Sequence, residues 1–196
     1  MSETQRRESC NERRKEWRSI ASSAVFGFLV TLWLTAPAGA QDDRPPHVRP
    51  ERGMQRLVDE AARRSPAIRG WLDRLERLDV TVYIRANAFM PMALEGRVGL
   101  LPVGGIHRYL VIELACERVE LSQMTMLGHE LFHAIEIAEE PSVVNPSTLA
   151  DLYSRIGLQT GDSLGRRMFD TEGAVAAGER TRRELLTNTA SHGHGT

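Results

Sequence analysis

A chain of 196 residues allows one domain with an appendage. Its 25 basic and 26 acidic side chains give a net charge of −1, and residues 1–40 hold six basic and four acidic groups, leaving −3 on the rest; that balance gives no electrostatic case for nucleic acid. Cys10 lies in a segment expected to be removed, which leaves Cys116 alone and excludes an internal disulfide in the mature chain, so a core, a metal or both must hold it together.

Residues 1–40 read as a signal peptide. Arg6, Arg7, Arg13, Arg14, Lys15 and Arg18 form a positive head, an apolar run follows, Pro37 breaks it, and Ala38-Gly39-Ala40 is an A-x-A cleavage pattern. The expectation is an exported protein, periplasmic or secreted, with no stable membrane span after cleavage near Ala40. Without cleavage, residues 20–36 would anchor it to a membrane. Residues 41–50 contain Pro45, Pro46 and Pro50 and read as an extended linker, with His47 a solvated linker residue.

A single domain is expected over residues 51–187. Glu51–Arg64 has Met54, Leu57, Val58 and Ala61 on one helical face. Ser65-Pro66 then restarts a helix, because Ser caps and Pro is accepted at the first position. Val80–Ile84 is β-branched and aromatic and predicts a strand. Residues 85–96 read as a loop. Arg97–Pro102 and Arg108–Leu114 predict a hairpin around Val103-Gly104-Gly105-Ile106, with His107 a polar residue at its mouth. A helix spans Leu121–Ala138, with Ser122 a candidate cap. Another runs from Pro146 to Ile156, closed by Gly157 as a left-handed cap. Gln159–Arg167 reads as a loop, a last helix runs from about Thr171 to Leu186, and residues 188–196 read as a disordered tail, where His192 and His194 have no preorganised site. Helices and strands are segregated along the chain, so the fold class is α+β: a small three-stranded sheet, a hairpin plus one strand, packed against helices.

The chemistry-bearing stretch is His129-Glu130-Leu131-Phe132-His133, an H-E-x-x-H on a helix. Residues four apart share a helical face, so both imidazoles can hold one Zn²⁺ with Glu130 beside them as base for a metal-activated water. A catalytic zinc commonly takes three protein ligands. No histidine follows at the spacing a metzincin requires, so a carboxylate from a later helix is the better third ligand. Glu172 is the choice and Asp170 the runner-up. Glu136 borders the same face and is a candidate to orient a histidine. Tyr153 and Tyr109 are candidates for stabilising a developing oxyanion. The expected activity is zinc-dependent hydrolysis of a peptide or protein. The rival is a non-catalytic exported domain that binds a metal or a partner.

Met126-Leu127-Gly128-His129-Glu130-Leu131-Phe132-His133-Ala134 resembles the active-site helix of gluzincin-type zinc metallopeptidases. Arg108–Leu114 resembles the edge strand that precedes that helix, and Glu172-Gly173 resembles the start of the ligand-bearing helix. The resemblance implies a zincin-like fold, zinc on His129, His133 and Glu172, Glu130 as general base, and a peptide laid along the edge strand. The H-E-L-x-H-A-x-E-I-A pattern with its later F-D-T segment also resembles small exported bacterial proteins.

Overall fold

A computed structural model describes residues 46–101, 107–163 and 166–191. All belong to one compact unit, Pro46–Thr196. The expected signal peptide, the hairpin turn at 103–106, and His192 and His194 lie outside the described residues.

The α+β class holds, and the sheet has four strands where three were expected. Strands β1 (Val48–Pro50), β2 (Val80–Asn87), β3 (Gly96–Leu100) and β4 (Arg108–Ala115) lie in the order β1-β2-β4-β3. The first two pairings are parallel, and β3 runs antiparallel to β4. The extra strand comes from the stretch read as a linker. The Glu76 carboxylate accepts the backbone N–H groups of His47 (2.8 Å) and Val48 (2.9 Å), and the His47 carbonyl accepts Val82 N–H at 2.8 Å. Its ring nitrogen Nδ1 also lies 2.8 Å from the Leu78 carbonyl, so His47 is tied down rather than solvated. Pro50 is tolerated because β1 is an edge, where a missing N–H breaks no inner ladder. The other edge is β3; β4, expected at the edge, is interior.

Helices α1 (Arg52–Arg64) and α2 (Pro66–Leu75) break where the Ser-Pro pair predicts. Ser65 Oγ accepts Ile68 N–H at 3.2 Å, closing the start of α2. Helix α3 (Glu120–Ala138) carries the H-E-x-x-H sequence, and Leu127, Leu131, Ala134 and Ile135 are buried against the sheet and α2. Its N-cap is Val119, without a side-chain cap; Ser122 Oγ donates instead to Glu95 at 2.8 Å. At its other end the Arg108 guanidinium donates to the carbonyls of Ile137, Ala138 and Glu140, between 2.7 and 3.0 Å. Those are the carbonyls a helix end leaves unpaired, and the cation also suits the negative pole of the helix. Arg108 thus fixes α3 to the start of β4.

Helix α4 (Pro146–Ile156) is closed at its start by a reciprocal Asn145–Thr148 capping box. Gly157 does not take the expected left-handed conformation; with φ −103° and ψ 159° it is extended and leads directly into a strand. The stretch read as a loop is a second, two-stranded sheet, β5 (Leu158–Ser163) with β6 (Arg166–Asp170), its register shifting between Gln159 and Gly161. Such a shift admits a residue that breaks the alternation, which hid the strand in the sequence. Helix α5 (Glu172–Ser191) follows and runs past the boundary expected at residue 187. Glu184 on α5 accepts Ser65 Oγ–H at 2.6 Å and Ala67 N–H at 3.0 Å, tying α5 to the positive end of α2. Cys116 is not a free thiol; its expected isolation rested on removal of residues 1–40. Among the described residues no helix is long and apolar enough to cross a membrane.

Candidate metal centre

Helical periodicity does what the sequence predicts on α3. The His129 and His133 rings lie side by side, their centroids 4.8 Å apart. The acid that meets them is Asp170, the last residue of β6. Its Oδ1 is 3.4 Å from His129 Nε2 and 3.4 Å from His133 Nε2. Among the described residues, these three donors form the group of histidine and acidic side chains able to share a metal ion, all within 4.8 Å of one another. Glu172 is not in that group. It is the first residue of α5 and is exposed, and the acid that meets the two imidazoles is Asp170, the runner-up from sequence.

Two of the three donor separations match a zinc site; the third, between the two imidazole nitrogens, reaches up to 4.8 Å and must shorten by ring rotation for both to hold one ion. Donors about 2.1 Å from a tetrahedral zinc lie about 3.4 Å from one another, so Asp170 Oδ1 stands from each imidazole at the edge length of such a site. A separation of 3.4 Å is also long for a direct N–H···O hydrogen bond. Two nitrogens and one carboxylate oxygen make the donor set zinc takes in hydrolytic sites, with one corner left for water.

The surroundings favour the same arrangement. His133 Nδ1 donates to Glu136 Oε2 at 2.8 Å, which turns Nε2 toward Asp170. Glu136, a candidate from sequence, therefore holds His133 from behind. Tyr153 is buried beside it, its hydroxyl 3.2 Å from His133 Nδ1, on the side of the ring away from Asp170. Tyr109 stacks on Tyr83 in the main sheet, centroids 6.4 Å apart, and does not join the group. His107 lies 2.9 Å from Thr81 Oγ1 and 3.2 Å from Asp79, a polar residue at a strand start as expected.

No protein-family model, curated protein or solved structure matches this chain.

Charge in the centre follows from burial and crowding. Burial alone would lower the pKa of His133, but the carboxylates of Asp170 and Glu136 outweigh it and push it up to about 9. His129 goes the other way, lowered by burial and by the neighbouring His133. Burial raises Glu130 to about 7, against the pull of His133. Burial would also raise Asp170, but His133, His129 and the Thr171 N–H together hold it low. Tyr153 is raised by burial and by the carboxylates around it, so it stays a neutral hydroxyl.

Glycines set the close approaches. A Cβ at Gly96 would lie 3.0 Å from Glu130 Oε1 and 2.6 Å from Met126 Cγ, so the edge strand β3 passes directly against the candidate base. Gly128 takes the side chain of Thr181, and Gly178 lies against His129, which lets α5 press onto α3. Sequence reasoning gave no role to Gly96, Gly128 or Thr171. Thr171 had a readable signal: it is a capping residue type immediately before a helix.

Proposed function

We propose that this protein is an exported metal-dependent hydrolase, most simply a zincin-like peptidase, with His129, His133 and Asp170 as metal ligands and Glu130 as general base. The observation that carries it is Asp170 Oδ1 standing 3.4 Å from both Nε2 atoms on a helix whose sequence is H-E-x-x-H. A zinc ion held there would supply a water with a pKa of about 7 and polarise a scissile carbonyl. Glu130 takes the proton of the attacking water and returns it to the leaving amine. Burial holds its carboxyl up to about 7 without a metal, and a dication beside it would favour the carboxylate form that accepts a proton. His133 is kept in the orientation that offers Nε2 by its bond to Glu136. The open edge of β3 offers backbone groups to an extended peptide beside Glu130, a mode of strand addition. Export rests on the leader-like pattern of residues 1–40.

A second reading has its own observation. His133 as a buried imidazolium between the half-buried carboxylates of Asp170 and Glu136 is a self-contained ion cluster, which needs no metal. Metal content separates the two. Protein purified without chelator should hold about one zinc per chain, Glu130→Gln should keep the zinc and lose hydrolysis of a casein or peptide library, and Asp170→Asn should lose both. A zinc-free protein in which Glu130→Gln changes nothing would leave the ion-cluster reading standing.

A further inference from the structure

Thr171 serves two partners with one hydroxyl. The oxygen accepts Ala174 N–H at 3.1 Å, capping α5, and the hydrogen goes to Glu136 Oε1 at 2.7 Å. The other oxygen of Glu136 takes the His133 Nδ1–H at 2.8 Å. The Thr171 backbone N–H donates in turn to Asp170 Oδ1 at 2.8 Å, the same oxygen that stands 3.4 Å from His133 Nε2. The path from Asp170 through Thr171, Glu136 and His133 therefore closes on itself.

We propose that Thr171 is a positioning residue for the metal centre, acting through Glu136 on His133. The claim rests on the metal-binding reading above. A Glu three residues along the same helix reaches the imidazole by a flexible side chain, and one hydrogen bond does not fix its carboxylate plane. The Thr171 hydroxyl supplies the second, from another element, in a place where Thr171 is 4 % exposed. Without it Glu136 Oε1 loses a buried donor, and a half-satisfied carboxylate turns to find another. The β6–α5 junction thereby delivers both the third ligand and the group that aims the second. A cap alone would do neither.

A double-mutant cycle on the full chain tests this, with zinc affinity read by competition against a chromogenic chelator. Thr171→Val should weaken zinc by about tenfold, the lower end of what outer partners of a ligand contribute. Thr171→Ser should restore it. In a Glu136→Ala background, Thr171→Val should cost almost nothing further, because no side chain is left to link Thr171 with His133. Thr171→Gly, a tolerated cap with no hydroxyl, should behave like Thr171→Val and serves if the valine variant fails to fold. In zinc-loaded protein the downfield His133 Nδ1 proton should shift in Thr171→Val and return in Thr171→Ser. Equal losses in both backgrounds would make Thr171 a helix cap and overturn the proposal alone. A wild-type protein that takes up no zinc would overturn the metal reading and this proposal with it.

Discussion

Helix α3 and the β6–α5 junction bring donors to one place by different means. His129, Glu130, His133 and Glu136 ride on one helix whose opposite side is sealed by Leu127, Leu131 and Ile135 and whose end is clasped by Arg108. Asp170 and Thr171 arrive from a two-stranded hairpin outside the main sheet, and α5 secures them by pressing onto α3. The first half is built into the core, while the second is docked on it. Stability should therefore reside mainly in the first, and completion of the site in the second.

The largest expected effect is in the core. Leu131→Ala should cost about 2–5 kcal/mol, because the side chain is fully buried and leaves a cavity. Urea unfolding measures it, and the folded fraction that survives should still bind zinc. Next is the seam between the halves. Gly128→Ala places a methyl 2.9 Å from Thr181 Cβ and should cost about 1–3 kcal/mol. Thr181→Ala removes the Oγ1 that such a methyl meets most closely but keeps the Cβ, so it should relieve part of that cost, and at little cost of its own, since among the described residues Thr181 Oγ1 is buried without a hydrogen-bond partner. Thermal melts of the two single variants and the double variant decide the point.

Asp170→Asn and Glu172→Gln should separate the docked acids. The former should lower zinc affinity by more than about a hundredfold, exceeding the loss of an outer partner, with little change in the melt. The latter should change neither, and a zinc loss in Glu172→Gln would restore the expectation drawn from sequence.

A smaller, graded effect is pH. His133 is raised from 6.5 to about 9 and Glu130 from 4.5 to about 7, so the folded metal-free protein binds protons that the unfolded chain gives up. Stability from these groups is present in acid and is lost as pH rises, first through about 7 and then through about 9. Melts in chelator should therefore fall across that range, and His133→Gln should flatten the upper part. Zinc affinity should rise over the same range, because the ion must displace the His133 proton.

The sequence made the built-in half legible. A spacing of four on a helix needs no knowledge of the fold, and the apolar stripe beside it marks the buried side. The strands Val80–Ile84 and Arg108–Leu114 were legible for the same reason: each is a run of β-branched and aromatic residues. What lay hidden depends on distant partners. Val48–Pro50 is a strand because it pairs with Val82–Ile84, with Glu76 holding the Val48 N–H and Val82 the neighbouring His47 carbonyl. The parallel pairing of β2 with β4 joins residues 28 apart and pushes β3 to the edge, and no local pattern encodes it. The choice between Asp170 and Glu172 turned on one residue. With Thr171 as cap, Glu172 opens the helix and faces outward, while Asp170 still belongs to the strand and turns inward.

The late position of Asp170 also sets an order of events during synthesis. A growing polypeptide that has emerged only as far as Ser163 already carries His129, Glu130, His133 and Glu136, yet Asp170 is still inside the ribosome. On the proposed metal reading, tight capture of a cation waits for residue 170, and a fragment that stops short of it should bind zinc only weakly.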